Sequence, residues 1–259
     1  MDGNRRLEVP LELRRGKRNT EGEWLPAALR LLELLATTIG QADLGATSVL
    51  DMGCGTKFTA AIVNHGVPIR RYVGIDTDAE VIEFLAQHVD DPRLDFHHLD
   101  VHNDLYNQTG QPLSSFDRLP VGDERFDVIS LFSVFTHLAP HDYTAMLRLL
   151  RPHVEPDGRL LYSVFIDEGG ADPDDPFTAE VQRRLEAGDP EVLAAVAQQE
   201  AGGRTVPDFV DRIPEQPLME AVYSEPYARQ LIEGTGWEVI ALHRPVRPII
   251  QHHFLCRPV

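Results

Sequence analysis

Three times between residues 48 and 100 a short apolar run stops on an aspartate. Ser48-Val49-Leu50 ends at Asp51, Arg71-Tyr72-Val73-Gly74-Ile75 ends at Asp76, and Leu94 to Leu99 ends at Asp100. The first two runs are followed by helical spacing, Thr59 to His65 closed by Gly66 and Ala79 to His88. Strands that alternate with helices need crossover connections, so they lie parallel in one sheet with helices on both faces. Parallel strands finish at one edge, which is where open α/β sheets bind ligands. One acid at a strand end is usually a solvated turn residue; three in succession predict a site.

The pattern extends in both directions. Leu25 to Ile39 reads as a helix that tolerates Pro26 in its first turn. Phe126 to Phe132 is a fourth strand, Asp142 to Leu150 a helix, and Arg159 to Ile166 a fifth strand entered through Pro156-Asp157-Gly158. Residues 102 to 124 form a long polar loop. At Asp167 the alternation breaks into an acidic, turn-rich stretch, two helices (Phe177 to Ala187, Pro190 to Gln199) and a Gly- and Pro-bearing passage to about Tyr223. A helix from Tyr227 to Gly234 and strands Trp237 to Leu242 and Gln251 to Arg257 then resume it. The chain divides into an arm (1–24), a core (25–166 and 224–259) and an insertion (167–223). An insertion at the ligand edge is expected to act as a lid.

Charge narrows the partners. Against 41 Asp and Glu stand 24 Lys and Arg, a net charge of −17, which argues against a phosphate backbone as ligand. The local exception is the arm, with Arg5, Arg6, Arg14, Arg15, Lys17 and Arg18 against Asp2, Glu8 and Glu12; it reads as a solvated tail. No apolar run reaches the ~18 residues of a membrane span, and the start lacks a signal-peptide core. Cys54 and Cys256 make no disulfide framework, which fits a reducing cytoplasm. The expectation is a cytoplasmic protein without nucleic-acid or membrane partners; its oligomeric state is open, a homodimer being one option.

The turn Asp51-Met52-Gly53-Cys54-Gly55 lets the backbone come close to a ligand, and the helix start behind it offers unpaired N–H groups. A dinucleotide fingerprint beginning at Gly53 needs glycine at position 58, where Phe58 stands, so a nicotinamide-dependent oxidoreductase is disfavoured. Asp76, 21 residues after Gly55, is placed to accept both hydroxyls of a ribose, and Asp100, 24 residues further, an amine on a purine edge.

Together these segments resemble the class I S-adenosylmethionine-dependent methyltransferases over roughly residues 25–166 and 224–257. Val49 to Thr56 resembles the family's first motif, Val73-Gly74-Ile75-Asp76 the second with its ribose acid, and Leu99-Asp100-Val101 the adenine segment. Phe126 to Ser130 with Phe132 to Leu138 resembles the fourth-strand motif, and Leu150-Arg151-Pro152 with Pro156 to Leu160 the turn into the fifth strand. The resemblance implies a Rossmann-like, seven-stranded, mostly parallel sheet with an antiparallel last strand. It also implies S-adenosylmethionine as cofactor, held by Asp51, Gly53, Cys54, Gly55, Asp76, Asp100, Val101 and Phe132. Lys57 stands where the family usually has a third glycine; its side chain either points outward, the preferred placement, or lies near the cofactor's methionine carboxylate.

A sulfonium already carries a good leaving group, so the protein must mainly align the acceptor and exclude water. An alcohol acceptor also profits from a base. His137 and His141, in the segment after the fourth strand, are the candidates. The Asn/Asp-Pro-Pro-Tyr motif frequent in nitrogen methyltransferases is absent, which favours oxygen. Asp167 and Glu168, at the end of the fifth strand, are candidate ligands for Mg²⁺, although a solvated loop start is the simpler reading. Tyr106, Tyr223 and Tyr227 are candidates to line a polar pocket for a hydroxylated, sugar-like acceptor. The leading reading is therefore O-methylation of a small molecule; a metal-assisted O-methyltransferase and a non-catalytic S-adenosylmethionine-binding protein are the alternatives.

Overall fold

A computed structural model describes residues 6–14, 21–167, 183–190, 192–194, 208–213, 215–245 and 251–259. In chain order the main elements are α1 (Glu21–Thr38), β1 (Leu44–Met52), α2 (Lys57–His65), β2 (Ile69–Asp76), α3 (Ala79–His88), β3 (Leu94–His98) and β4 (Phe126–Leu131). There follow α4 (Pro140–Leu150), β5 (Val154–Asp167), β6 (Phe209–Asp211), β7 (Ala221–Ser224), α5 (Glu225–Ile232), β8 (Trp237–His243) and β9 (His252–Pro258). Strands β3, β2, β1, β4 and β5 lie side by side and parallel. The first part of β5 (Leu160 to Val164) pairs antiparallel with β9, which pairs with β8. These seven strands are the expected sheet. Beyond Val164 the partner changes: Phe165 to Asp167 pair parallel with β7, and β7 pairs antiparallel with β6. The insertion, expected to be helical, thus contributes a hairpin to the ligand edge as well as short helical pieces such as 183–186. Residues 168–182 of it, with most of the first expected helix, lie outside the described residues.

Side-chain alternation sorts the core into two layers. Leu50, Met52, Ile129 and Leu131 face α4 and α5, where Tyr143, Met146, Leu147 and Ile232 are buried. Val49 and Val128 face α1, α2 and α3, with Leu35, Ile62 and Leu85. The chain runs from β1 outward to β2 and β3, then crosses back to β4 on the other side of β1. Such a reversal opens a crevice at the carboxyl ends of β1 and β4, between the Gly53–Gly55 turn and the segment after Leu131.

The arm departs from expectation. Leu7, Val9 and Leu13 are buried in the layer of α1 and α2. The Asn64 amide accepts from Leu7 N–H (2.7 Å) and donates to its carbonyl (3.0 Å), as a neighbouring strand would. The Thr56 hydroxyl donates to the Leu13 carbonyl (3.0 Å). Residues 6–14 are therefore docked, not solvated, because three apolar side chains at irregular spacing find a groove that no local pattern announces. Arg5, Arg15, Lys17 and Arg18 lie outside the described residues.

Candidate active site

At the crevice the backbone turns sharply out of β1. Gly53 adopts φ +73°, and a Cβ there would stand 2.4 Å from Val134 Cγ2, so glycine is required on both counts. Its N–H and that of Cys54 donate to the Ile75 carbonyl (2.7 and 3.1 Å), tying the turn to β2. A Cβ on Gly55 would meet nothing within 4 Å, leaving open space beside the turn. Asp76 completes the cradle: Oδ2 accepts from Gly55 N–H (2.8 Å) and Oδ1 from Asp78 N–H (2.9 Å). Each carboxylate oxygen retains a lone pair for a ligand donor. Burial raises the Asp76 pKa, and these backbone donors oppose the shift.

Asp51 sits beneath the turn, 3% exposed. It accepts from Tyr72 Oη (2.8 Å) and Ser130 Oγ (2.7 Å). Burial pushes its carboxyl up to about 7, although both hydroxyl donors pull it down. The folded protein then holds a proton above the ordinary value of 3.8 at which the unfolded chain releases it. Stability from this group is therefore greatest below about 4 and falls as pH rises toward about 7. Asp51→Asn, which does not ionise and whose neighbours' hydroxyls can rotate, is expected to flatten the pH dependence of the urea midpoint across that window. An unchanged slope would remove Asp51 as its source.

The crevice opens into a cavity of about 920 Å³. Of the expected cofactor set, Asp51, Gly53, Cys54, Gly55, Asp76, Val101 and Phe132 line it. Asp100 does not. It is exposed in an adjoining cleft of about 520 Å³, where its carboxylate accepts from the Asn107 amide (2.8 Å). Lys57, preferred as outward-pointing, stands among the cavity-lining residues at the first position of α2. Phe132 packs edge-on between Phe58 and His253, with ring centroids 5.5 and 5.8 Å away.

Tyr106, Thr136, His137, Asp142, Met219 and Glu220 line the same cavity. His137 Nδ1 is 3.0 Å from the Leu218 carbonyl. A carbonyl only accepts, so Nδ1 carries the proton and Nε2 keeps its lone pair in the neutral ring. Burial holds the imidazole below its ordinary pKa, partly offset by the Leu218 and Met219 carbonyls and Glu220. The ring meets Tyr106 edge-on at 6.4 Å.

Several expected residues fall elsewhere. His141 is in the first turn of α4 with a 76% exposed side chain against Asp142 (3.1 Å); it is Asp142, one residue on, that lines the cavity. Tyr223 is fully buried in β7, its hydroxyl donating to the Leu138 carbonyl, so it is a core residue. Tyr227 packs half-buried against the same core and does not line the cavity. Asp167, 8% exposed at the end of β5, is drawn into pairing with β7 and is likewise not a lining residue. Glu168 lies outside the described residues. Among the described residues no group of three or more His, Cys, Asp or Glu side chains is arranged to hold a metal ion.

Sequence reading missed Ala27, Arg30 and Leu31 of α1, which line the cavity, and Glu220 and Met219, which reach it from the β6–β7 loop. Amphipathic spacing marks the buried face of α1 but not the part of it that meets a cavity, and no motif surrounds Glu220.

The family model for the methyltransferase domain matches residues 17–242. The chain belongs to that family. Its sheet and crevice are those of the class I S-adenosylmethionine-dependent methyltransferases. Solved structures share the fold at low identity. LepI, in complex with SAH and a substrate analogue, is 12% identical with a TM-score of 0.54; the match covers 95% of this chain but half of LepI (50%). The calicheamicin-biosynthesis methyltransferase CalO1, SAH-bound, is 15% identical with a TM-score of 0.52 over 90% of this chain and 54% of its own. The Burkholderia thailandensis 1,6-didemethyltoxoflavin-N1-methyltransferase is 16% identical with a TM-score of 0.51 over 92% and 80%. The chain thus spans about half the length of two of these relatives. Among its described residues no helix is long and apolar enough to cross a membrane.

Proposed function

We propose that the methyltransferase transfers a methyl group from S-adenosylmethionine to a hydroxyl of a small molecule, with His137 as general base. The observation that carries this reading is a cavity of about 920 Å³ lined together by the Gly53–Gly55 turn, Asp76 and His137. That volume is near the top of the usual ~300–1,000 Å³ for ligand pockets, room for a cofactor and a modest acceptor. When bound, S-adenosylmethionine supplies an electrophilic methyl on a sulfonium. The chain's part is to hold the ribose hydroxyls on the spare lone pairs of Asp76, the adenosine against Val101, and the methionine end along the Gly53–Gly55 backbone. His137 Nε2 takes the proton of the acceptor hydroxyl, while Phe132, Val134 and Met146 keep water out.

The fold does not choose between oxygen and nitrogen, since one relative is named an N1-methyltransferase. A neutral imidazole held below its ordinary pKa favours oxygen, because an alcohol must lose its proton during attack whereas a neutral amine already has a free pair. The test is a panel of alcohols, phenols and amines with a methyl-labelled donor, run with and without EDTA. Turnover of hydroxyl acceptors in both conditions is expected; amine-only labelling would overturn the reading, and loss of all labelling in EDTA would replace the histidine base by a metal. Asp76→Ala is expected to weaken S-adenosylmethionine binding by about 1–3 kcal/mol, measured by calorimetry. Unchanged affinity would remove the ribose assignment.

A further inference from the structure

Among the described residues Ser133 and Leu218 are the non-glycine positions with positive φ, +60° and +56°. Ser133 lines the cavity and Leu218 precedes the cavity-lining Met219 and Glu220, and backbone strain gathers at functional sites. Leu218 lies in the loop that joins β6 to β7, and its carbonyl is the one that receives His137 Nδ1–H (3.0 Å). A leucine has no reason of its own to be left-handed, since its Cβ crowds the backbone there. What holds it is Asp211, the last residue of β6, whose Oδ2 accepts from Leu218 N–H (2.9 Å). Asp211 Oδ1 is buried with no hydrogen-bond partner among the described residues, a cost that a merely loop-closing residue need not bear. The neck of the same loop is closed separately by Arg212 N–H donating to the Glu220 carbonyl (2.9 Å).

We infer that Asp211 is a positioning residue for His137: it clamps Leu218 in the left-handed turn whose carbonyl keeps the imidazole proton on Nδ1 and the Nε2 lone pair free. The inference rests on His137 being the base, and it makes the insertion part of the catalytic apparatus. Without the clamp, Leu218 relaxes to negative φ, its carbonyl swings away, and the ring redistributes between tautomers. In the Nε2–H tautomer the nitrogen assigned to the acceptor has no lone pair to offer. The charged and titratable groups around the ring are Glu220 with its partner Arg212 from the β6–β7 loop, Asp142 from α4, and Tyr106 and His102 from the 102–124 loop.

The test combines a tautomer measurement with a rescue. In the 259-residue chain with ¹⁵N-labelled histidine, long-range ¹H–¹⁵N spectra assigned with His137→Gln should show His137 as the Nδ1–H form. Asp211→Ala should shift it toward Nε2–H and lower kcat roughly 10- to 100-fold on a hydroxyl acceptor found in the panel, less than the ~10²–10⁴ of losing a base outright. Its S-adenosylmethionine affinity should stay at the wild-type value, which also shows that it folds. Leu218→Gly keeps the carbonyl and removes the strain, so Asp211→Ala/Leu218→Gly should recover tautomer and rate relative to Asp211→Ala. An Nε2–H tautomer in the wild type, or an unchanged tautomer in Asp211→Ala, overturns the inference. So does a double variant as impaired as Asp211→Ala alone. A shifted tautomer with an unchanged rate supports the clamp and sinks His137 as the base, so the two readings fail separately.

Discussion

His137→Ala is expected to lose roughly 10²–10⁴ in kcat while binding S-adenosylmethionine with the wild-type Kd. The two readouts part because His137 is assigned to the acceptor's proton, whereas Asp76 and the Gly53–Gly55 backbone are assigned to the cofactor. Its Nδ1 is occupied by the Leu218 carbonyl, so its chemistry resides in Nε2. Burial lowers the imidazole pKa, and the acid limb of the wild-type rate profile should therefore fall below the ordinary histidine value of 6.5. In His137→Ala that limb should vanish along with the rate. His141→Ala, at a side chain 76% exposed, is expected to leave kcat within about twofold. Wild-type turnover by His137→Ala between pH 6 and 9 would make the residue a packing element.

Gly53→Ala should damage both stability and cofactor binding. The added methyl must be carried at φ +73° and would sit 2.4 Å from Val134 Cγ2. Left-handed strain and overpacking together cost about 2–5 kcal/mol. The turn cannot relax without breaking the bonds from Gly53 and Cys54 N–H to Ile75, and these set where Gly55 N–H meets Asp76. A loss of S-adenosylmethionine affinity of at least about tenfold is expected, roughly 1.4 kcal/mol of that cost expressed in binding. Val134→Ala introduced into the same chain removes the clash but not the backbone strain, so it should restore part of the urea midpoint. Wild-type affinity and midpoint in Gly53→Ala would show the turn to be more pliant than its geometry indicates.

The candidate site was legible where chemistry coincides with local geometry. Asp51, Gly53, Gly55 and Asp76 are readable as candidates because a strand end followed by a glycine turn is written in consecutive residues, and all four line the cavity. His137 is readable as a candidate because it follows the fourth strand closely, and it too lines the cavity. Asp100 was read at a strand end as well, yet the chain beyond it folds Asn107 back onto its carboxylate and leaves it in the neighbouring cleft. Tyr223 and Tyr106 were indistinguishable as loop tyrosines: one is sealed in the core beneath Leu138, the other is 42% exposed beside His137.

Alternation of strand and helix determined the parallel sheet from the sequence alone, and the motif resemblance carried by Val49–Thr56, Val73–Asp76 and Phe126–Leu138 implied the family, because those signals depend on neighbours a few residues away. Tertiary structure decided everything that depends on distant partners. β5 changes partner from β9 to β7 at Phe165, which turns the start of the insertion into sheet and withdraws Asp167 from the cavity. Leu7, Val9 and Leu13 dock on a groove made by α1 and α2, so the described part of the arm, residues 6–14, packs against the core. The proton on His137 is placed by a carbonyl 81 residues along the chain. A side chain's burial and tautomer are set by the groups that surround it, and only the folded chain brings those groups together.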